Sequence, residues 1–355
     1  MVLRESEQRF DYIDIAKGLG MLTIVWGHVF LDGLSNAIVF SFHIPLFFFL
    51  SGLVFDKKRY ASFGIFIKKR LKGLIFPYIV FSVITWMAWA VYSYNANMQV
   101  ESFWMPLLQT FIAQGSDGYM LHNVPLWFVM CLFSVEVIYY FLARMNDWVV
   151  MLICIVLCVL GVLSTKVTFF DFSTLPWSLD VAMMAMPFYA AGSLLTKYIP
   201  HFEQVEIVQK YKIWNAVLFA LGAVAVYLGA KYNGYVSMGR AHLGPNPLGF
   251  YATAFCGIIV VMLLSIAVSQ SGSHLISWLK WIGRNSFRMM AVHNPIKGVV
   301  IIVIGLLLQS LNINLDNNDL QLFLTFVITI LISISIVWLI EWGMKKTLGR
   351  NSLLK

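Results

Sequence analysis

Ten runs of about twenty apolar residues follow one another along the chain, and their length restricts the fold more than any motif does. A bilayer's hydrocarbon core is about 30 Å thick, which a helix crosses in about 20 residues. The runs lie at about 12–33, 36–55, 74–94, 124–143, 148–165, 178–197, 213–231, 249–269, 286–308 and 320–343. They predict an all-α, polytopic integral membrane bundle of about ten transmembrane helices. Charged residues make up only 12% of the chain and apolar residues 60%, whereas a soluble domain is about a quarter charged. No heptads, low-complexity tract or fixed-period repeat breaks the pattern. The longest connection, about 95–123, is partly apolar and is expected at the membrane interface. Residues 1–355 are therefore read as a single membrane-embedded domain.

The net charge of +8 is a topology signal rather than a nucleic-acid footprint, because the bases concentrate in alternate connections. With the N-terminus inside, twenty Lys and Arg fall on the cytoplasmic side, in clusters such as Lys57–Arg59 and Lys68–Lys72. Three fall opposite (Lys166, Lys231, Arg240), and Lys17 and Lys297 lie within helices. This bias predicts that both termini are cytoplasmic and that membrane lipids are the chain's surroundings. Arg4 and Arg9 precede a run holding Asp14, Lys17 and His28, which does not fit the apolar region of a cleavable signal. Cys131, Cys154, Cys158 and Cys256 all fall inside apolar runs with no CxxC spacing, so neither a disulfide framework nor a metal site is expected.

Ionisable residues near the bilayer centre cost about 2.5–3.5 kcal/mol each on insertion scales, so each marks a candidate site. In the first helix Lys17 and His28 are eleven residues apart, within about 20° of one face and about 16 Å apart along the axis. Asp14 joins the same stripe, and Gly18, Gly20 and Gly27 permit close approach of a helix or ligand. The structural alternative pairs Asp14 with Lys17 and makes His28 a packing residue. His43 and Pro45 are placed near the outer end of the second helix, above Ser51. The run Lys68, Lys69, Arg70, Lys72 is either topogenic, with anionic lipid contact, or a phosphate site. Glu136, His293 and Lys297 sit inside later helices, where they can satisfy one another.

In order, these segments resemble the acyltransferase 3 family of membrane acyltransferases, in particular its fucose 4-O-acetylase-like branch. The resemblance rests on Asp14-Ile-Ala-Lys17-Gly through Gly27-His28, and on Phe42-His43-Ile-Pro45 through Ser51-Gly52. The basic run ending Pro77-Tyr78, Leu126-Trp127-Phe128 and Gly283-Arg284-Asn285-Ser286 through His293 extend it over most of the chain. It implies transfer of an acyl group, usually acetyl from cytoplasmic acetyl-CoA, to a hydroxyl of a glycan, lipid-linked saccharide or related envelope molecule. It also implies a bacterial cytoplasmic (inner) membrane location, with acetyl-CoA as co-substrate and no metal. The family's basic residue and histidine, ten residues between them, map to Lys17 and His28, with Lys where Arg is commoner. Of the family's two arginines three apart, Arg70 is present and Gly73 stands in the second place. Lys69 and Lys72 are the remaining donor-site candidates beside Arg70.

A hydroxyl attacking a thioester is helped by a general base, and His28 has the ordinary near-neutral imidazole for it. Lys17, on the same face toward the cytoplasm, is placed to meet CoA. Direct transfer and an acyl-enzyme on His28 or Ser51 both remain open. Asp14, His43, Trp127, Glu136, Arg284, Asn285 and His293 are supporting candidates. The competing class is a transporter or flippase of an envelope precursor. Such proteins often show two related halves, and residues 1–165 and 166–355 are not similar.

Overall fold

The computed structural model of the chain describes residues 10–96, 98, 100, 102–116, 118–165, 175–310 and 318–348. Among these, helices form the whole framework and no strand occurs. The elements are α1 (Asp11–Val29), α2 (Gly33–Leu53), α3 (Phe63–Arg70), α4 (Phe76–Asn95), α5 (Met105–Ile112), α6 (Trp127–Leu142) and α7 (Asp147–Ser164). There follow α8 (Leu179–Tyr198), α9 (His201–Lys210), α10 (Lys212–Asn233), α11 (Pro247–Val268), α12 (His274–Arg284), α13 (Ser286–Ser310) and α14 (Asn318–Leu348).

Nine helices among the described residues are long and apolar enough to cross a membrane, and with α1 they account for the ten predicted runs. The chain is an integral membrane protein. The third run begins at Phe63 rather than 74, because a π-helical turn, Leu71–Ile75, carries α3 into α4 without a break. Pro77 therefore falls inside a continuous rod instead of opening it. The first run stops at Val29 rather than 33, where Phe30 turns to extended backbone. Arg4, Arg9, Lys166, Arg350 and Lys355 lie outside the described residues.

Burial sorts the helices into an inner and an outer set. The span ending in α6 is 72% buried, whereas those of α4, α7 and α10 are only 17% buried. The outer helices thus present their Leu, Ile and Val side chains outward, as lipid contact requires. At the centre α1 packs on α2, α11, α12 and α13, and α2 packs on α8. Exposed tryptophans such as Trp104, Trp148 and Trp214 sit near helix ends, where amphipathic rings belong at a membrane surface.

Two of the features outside the run pattern shape the site. Helix α12 buries Ile276, Leu279 and Ile282 against α1 and leaves Leu275 and Trp278 exposed. The second half of the 95–123 connection does not stay at the interface: Ala113, Met120, His122 and Asn123 are all buried. Irregular backbone at membrane depth persists only where protein or a cavity surrounds it. One reason for its depth lies in α13. Pro295 has no N–H for the carbonyl of Ala291, and the Asn123 Nδ2 supplies the missing donor at 2.6 Å.

Candidate active site

One end of the bundle, where α2 finishes and α3 starts, is the basic end; α1 points from it to the far end, where the histidines gather. His28 occupies the last turn of α1, and its ring centroid is 5.2 Å from that of His293 on α13. Phe40 of α2 lies between His28 and His43, with centroids 6.4 Å and 4.8 Å away. Lys297, one turn beyond His293, donates from Nζ to the His28 carbonyl at 3.1 Å. His43 and His293 are buried, while His28 is partly accessible. His43 lies mid-way along α2 rather than near its outer end.

The tautomers of the two buried histidines follow from their partners. Nδ1 of His43 is 2.6 Å from the Val39 carbonyl, and Nδ1 of His293 is 2.8 Å from the Met290 carbonyl. A carbonyl only accepts, so Nδ1 carries the proton in both and Nε2 presents its lone pair. The His293 Nε2 is buried with no protein partner. The groups charged or chargeable that bear on His28 are His43, His293, Lys297 and Arg240, all basic. Among the described residues no group of His, Cys, Asp or Glu is disposed to hold a metal ion.

Toward the basic end, Asp14 is buried and takes a hydrogen bond from Arg284 Nε at 2.8 Å. Lys280 meets Asp11 at 2.6 Å. These pairs dock α12 on the first turn of α1, where acidic groups also suit the helix dipole. The approach is close: a Cβ on Gly283 would fall 1.7 Å from the Asp14 carbonyl oxygen. Gly18, Gly20 and Gly27 likewise face Leu279, Phe47 and Phe40 of neighbouring helices.

Glu136 pairs with Arg70, Nε to Oε2 at 2.9 Å, and not with His293 or Lys297 as the sequence allowed. The approach is an ion pair rather than an aligned hydrogen bond. Tyr60 and Phe66 lie under the Arg70 guanidinium, each 5.6 Å from it. Lys69 and Lys72 are exposed beside it, and a groove of about 430 Å³ runs along Gly64, Ile67, Lys68, Leu71, Lys72 and Phe76. Ser51 is eight residues from His43 on α2, about 12 Å nearer the basic end. Trp127 opens α6 with its ring against the backbone of Gly115 and Gly239. Asn285 stands at the α12–α13 junction and accepts from Arg288 at 2.5 Å. Asp14, Arg284 and Asn285 thus group at the basic end and His28 and His293 toward the far end, with His43 mid-way along α2 and Lys17 on α1 between the two groups.

Sequence reasoning missed several groups around the histidines. Tyr235 packs its ring 5.3 Å from Phe40, and His242 stacks on Tyr235 at 6.3 Å. His122 and Asn123 come in on the buried connection. Burial pushes the His122 imidazole down to about 4, which keeps it neutral, and both its nitrogens are buried without a partner. Only Pro295, one turn beyond the freed carbonyl of Ala291, hints at such a partner in the sequence.

A helical membrane bundle with buried histidines, and with no soluble layer among the described residues, defines a membrane-embedded enzyme or carrier. The sequence model of the acyltransferase 3 family, described as an acyltransferase domain, matches residues 10–342, and the chain belongs to that family. It is a membrane acyltransferase. No match was found among curated proteins or among solved structures.

Proposed function

We propose that the protein transfers acetyl from cytoplasmic acetyl-CoA to a hydroxyl of a cell-envelope or exported glycan, as in the fucose 4-O-acetylase-like branch. The observation that carries this reading is His28: partly accessible, in the last turn of α1, with its ring beside His293 and its carbonyl held by Lys297. His28 takes the proton from the acceptor hydroxyl as its oxygen attacks the thioester carbonyl. The C–S bond then breaks, and the thiolate leaves as CoA thiol with the proton returned by His28. Lys17 lies on the same face about 16 Å nearer the basic end. That is roughly the length over which a thioester arm would extend from the CoA phosphates, with Lys72 lining the groove where those phosphates would bind and Lys69 exposed on the same rod. Both termini then lie in the cytoplasm, and the membrane is a bacterial inner membrane.

The test uses the full-length protein in lipid nanodiscs with acetyl-CoA. Glycan-stimulated release of CoA, with one acetyl gained per glycan by mass spectrometry, is expected. A glycan carried across vesicle membranes without acetylation would instead make the protein a transporter.

A further inference from the structure

The far end of the bundle holds polar groups that the transfer step does not use. Three of them carry buried, unpartnered hydrogen-bonding atoms: Nε2 of His293, Oδ1 of Asn123 and both nitrogens of His122. Two have a fixed sense. Asn123 spends its NH2 on the Ala291 carbonyl, so the orphan atom is the amide oxygen, an acceptor. His293 spends its N–H on Met290, so its orphan nitrogen is an acceptor as well. Asn123 meets α13 at the Ala291 carbonyl, and His293 stands two residues on, about 200° around the helix, with His28 beside it. Unpartnered buried acceptors cost about 1–3 kcal/mol each, and a ligand rich in hydroxyl donors removes that cost.

A second set of observations concerns charge and shape. Arg240 is one of three Lys or Arg assigned to the sparse side by the charge bias, and it ends the turn Met238–Arg240 between Tyr235 and His242, whose rings stack beside Phe40. Lys297 is a cation inside a helix, 3.1 Å from the His28 carbonyl. Tyr235 is 40% exposed beside these groups, with its ring packed on Phe40 and His242. An exposed aromatic face suits the apolar face of a sugar ring, and the cations suit a carboxylate or phosphate on it.

We propose that the acceptor is an acidic saccharide held at the far end of α1, with a hydroxyl on His293, its acidic group on Arg240 and Lys297, and one ring against Tyr235. The proposal rests on the acetyl-transfer reading for what happens to the bound sugar, but not for the binding itself.

The experiment compares a glucuronic acid oligosaccharide with its carboxyl-reduced, neutral counterpart, using the full-length protein in nanodiscs. With acetyl-CoA present, the acidic oligosaccharide is expected to have a kcat/KM at least about tenfold higher, the scale of one charge-assisted hydrogen bond. Arg240→Gln should bring the ratio of the two toward one. Equal use of both by the wild type, or an unchanged ratio in the variant, overturns the proposal. A parallel arm needs no turnover: the acidic oligosaccharide should slow diethyl pyrocarbonate modification of His28 in the wild type and not in Arg240→Gln. Absence of protection also overturns the proposal. Protection without any acetyl transfer overturns the acetyltransferase reading and leaves the acidic-saccharide site standing. An inorganic phosphate control distinguishes the two acids: protection by phosphate at lower concentration than by the uronate assigns the cation pair to a phosphorylated saccharide.

Discussion

The Arg70 guanidinium stands 2.9 Å from the Glu136 carboxylate, tying the last residue of α3 to a helix in the centre of the bundle. Glu136 is 5% exposed and Arg70 24%. Removing one partner leaves the other charge buried, which typically costs about 3–5 kcal/mol. Arg70→Ala is therefore expected to lower the thermal midpoint of the purified protein strongly. Arg70→Met combined with Glu136→Leu should recover most of it, since a packed apolar pair replaces a buried ion pair at little cost. An unshifted midpoint in Arg70→Ala, together with a raised KM for acetyl-CoA, would assign Arg70 to the donor alone.

Lys69 and Lys72 differ from Arg70 in being exposed, and Lys72 lines the groove. Exposed charges contribute little to folding, so Lys69→Gln with Lys72→Gln should leave the melting curve in place. The same double variant is expected to raise KM for acetyl-CoA by about tenfold, on the scale of charge-assisted contacts to phosphate. Unchanged KM would return both lysines to topology and lipid contact.

Helices α2 and α8 cross at two reciprocal glycine contacts. A Cβ on Gly52 would lie 2.0 Å from the Tyr189 carbonyl oxygen, and one on Gly192 would lie 2.1 Å from that of Phe49. Neither backbone can yield without moving a helix. Gly52→Ala and Gly192→Ala should each destabilise by about 1–3 kcal/mol, the usual cost of overpacking. Gly298→Ala is the control, since nothing lies within 4 Å of that position. Equal midpoints for all three would mean the helices are not packed this closely.

Those contacts mark the division between what periodicity reveals and what it does not. The ten helices were legible because each must be long and apolar, and the Lys17–His28 stripe because α1 is one unbroken helix. Partner choice was not legible. Asp14 meets Arg284, 270 residues away, and Glu136 meets Arg70, and no local pattern encodes either pairing. Helix α12 escaped because 274–284 is too short to span a membrane and carries Ser277, Lys280 and Arg284 among its apolar residues. The buried connection escaped because irregular backbone has no period. Only the Pro295 gap in α13 shows, in retrospect, why Asn123 must come so deep.

Orientation is testable by labelling. The clusters Lys57–Arg59 and Lys210–Lys212 lie at the basic end, where Lys57 donates to the Ala143 carbonyl and Lys197 pairs with Asp147. Cysteines placed at 58 and 210 should react only with reagent admitted from the cytoplasm. A cysteine at 245, in the exposed connection before α11, should react with impermeant reagent from outside. Reaction of 245 from the cytoplasmic side would overturn the inside placement of the basic end.

The last prediction concerns His28 itself. As general base it is expected to supply about 10²–10⁴-fold in rate, so His28→Ala should lose acetyl transfer while remaining folded. His28→Gln separates proton transfer from packing, because an amide fills similar space and hydrogen-bonds but does not take a proton near neutral pH. Both variants should be inactive, with melting curves close to the wild type, since the ring makes no hydrogen bond that holds another helix; the Lys297 contact is to the His28 backbone. Lys17→Ala should also lose activity, whereas Lys17→Arg should keep much of it if charge and reach are what the donor requires. A packing role predicts the opposite pattern: His28→Gln active and His28→Ala merely less stable. Near wild-type acetylation by His28→Gln would remove His28 from the chemistry and leave His293, whose Nε2 lone pair lies beside it, as the base to examine next.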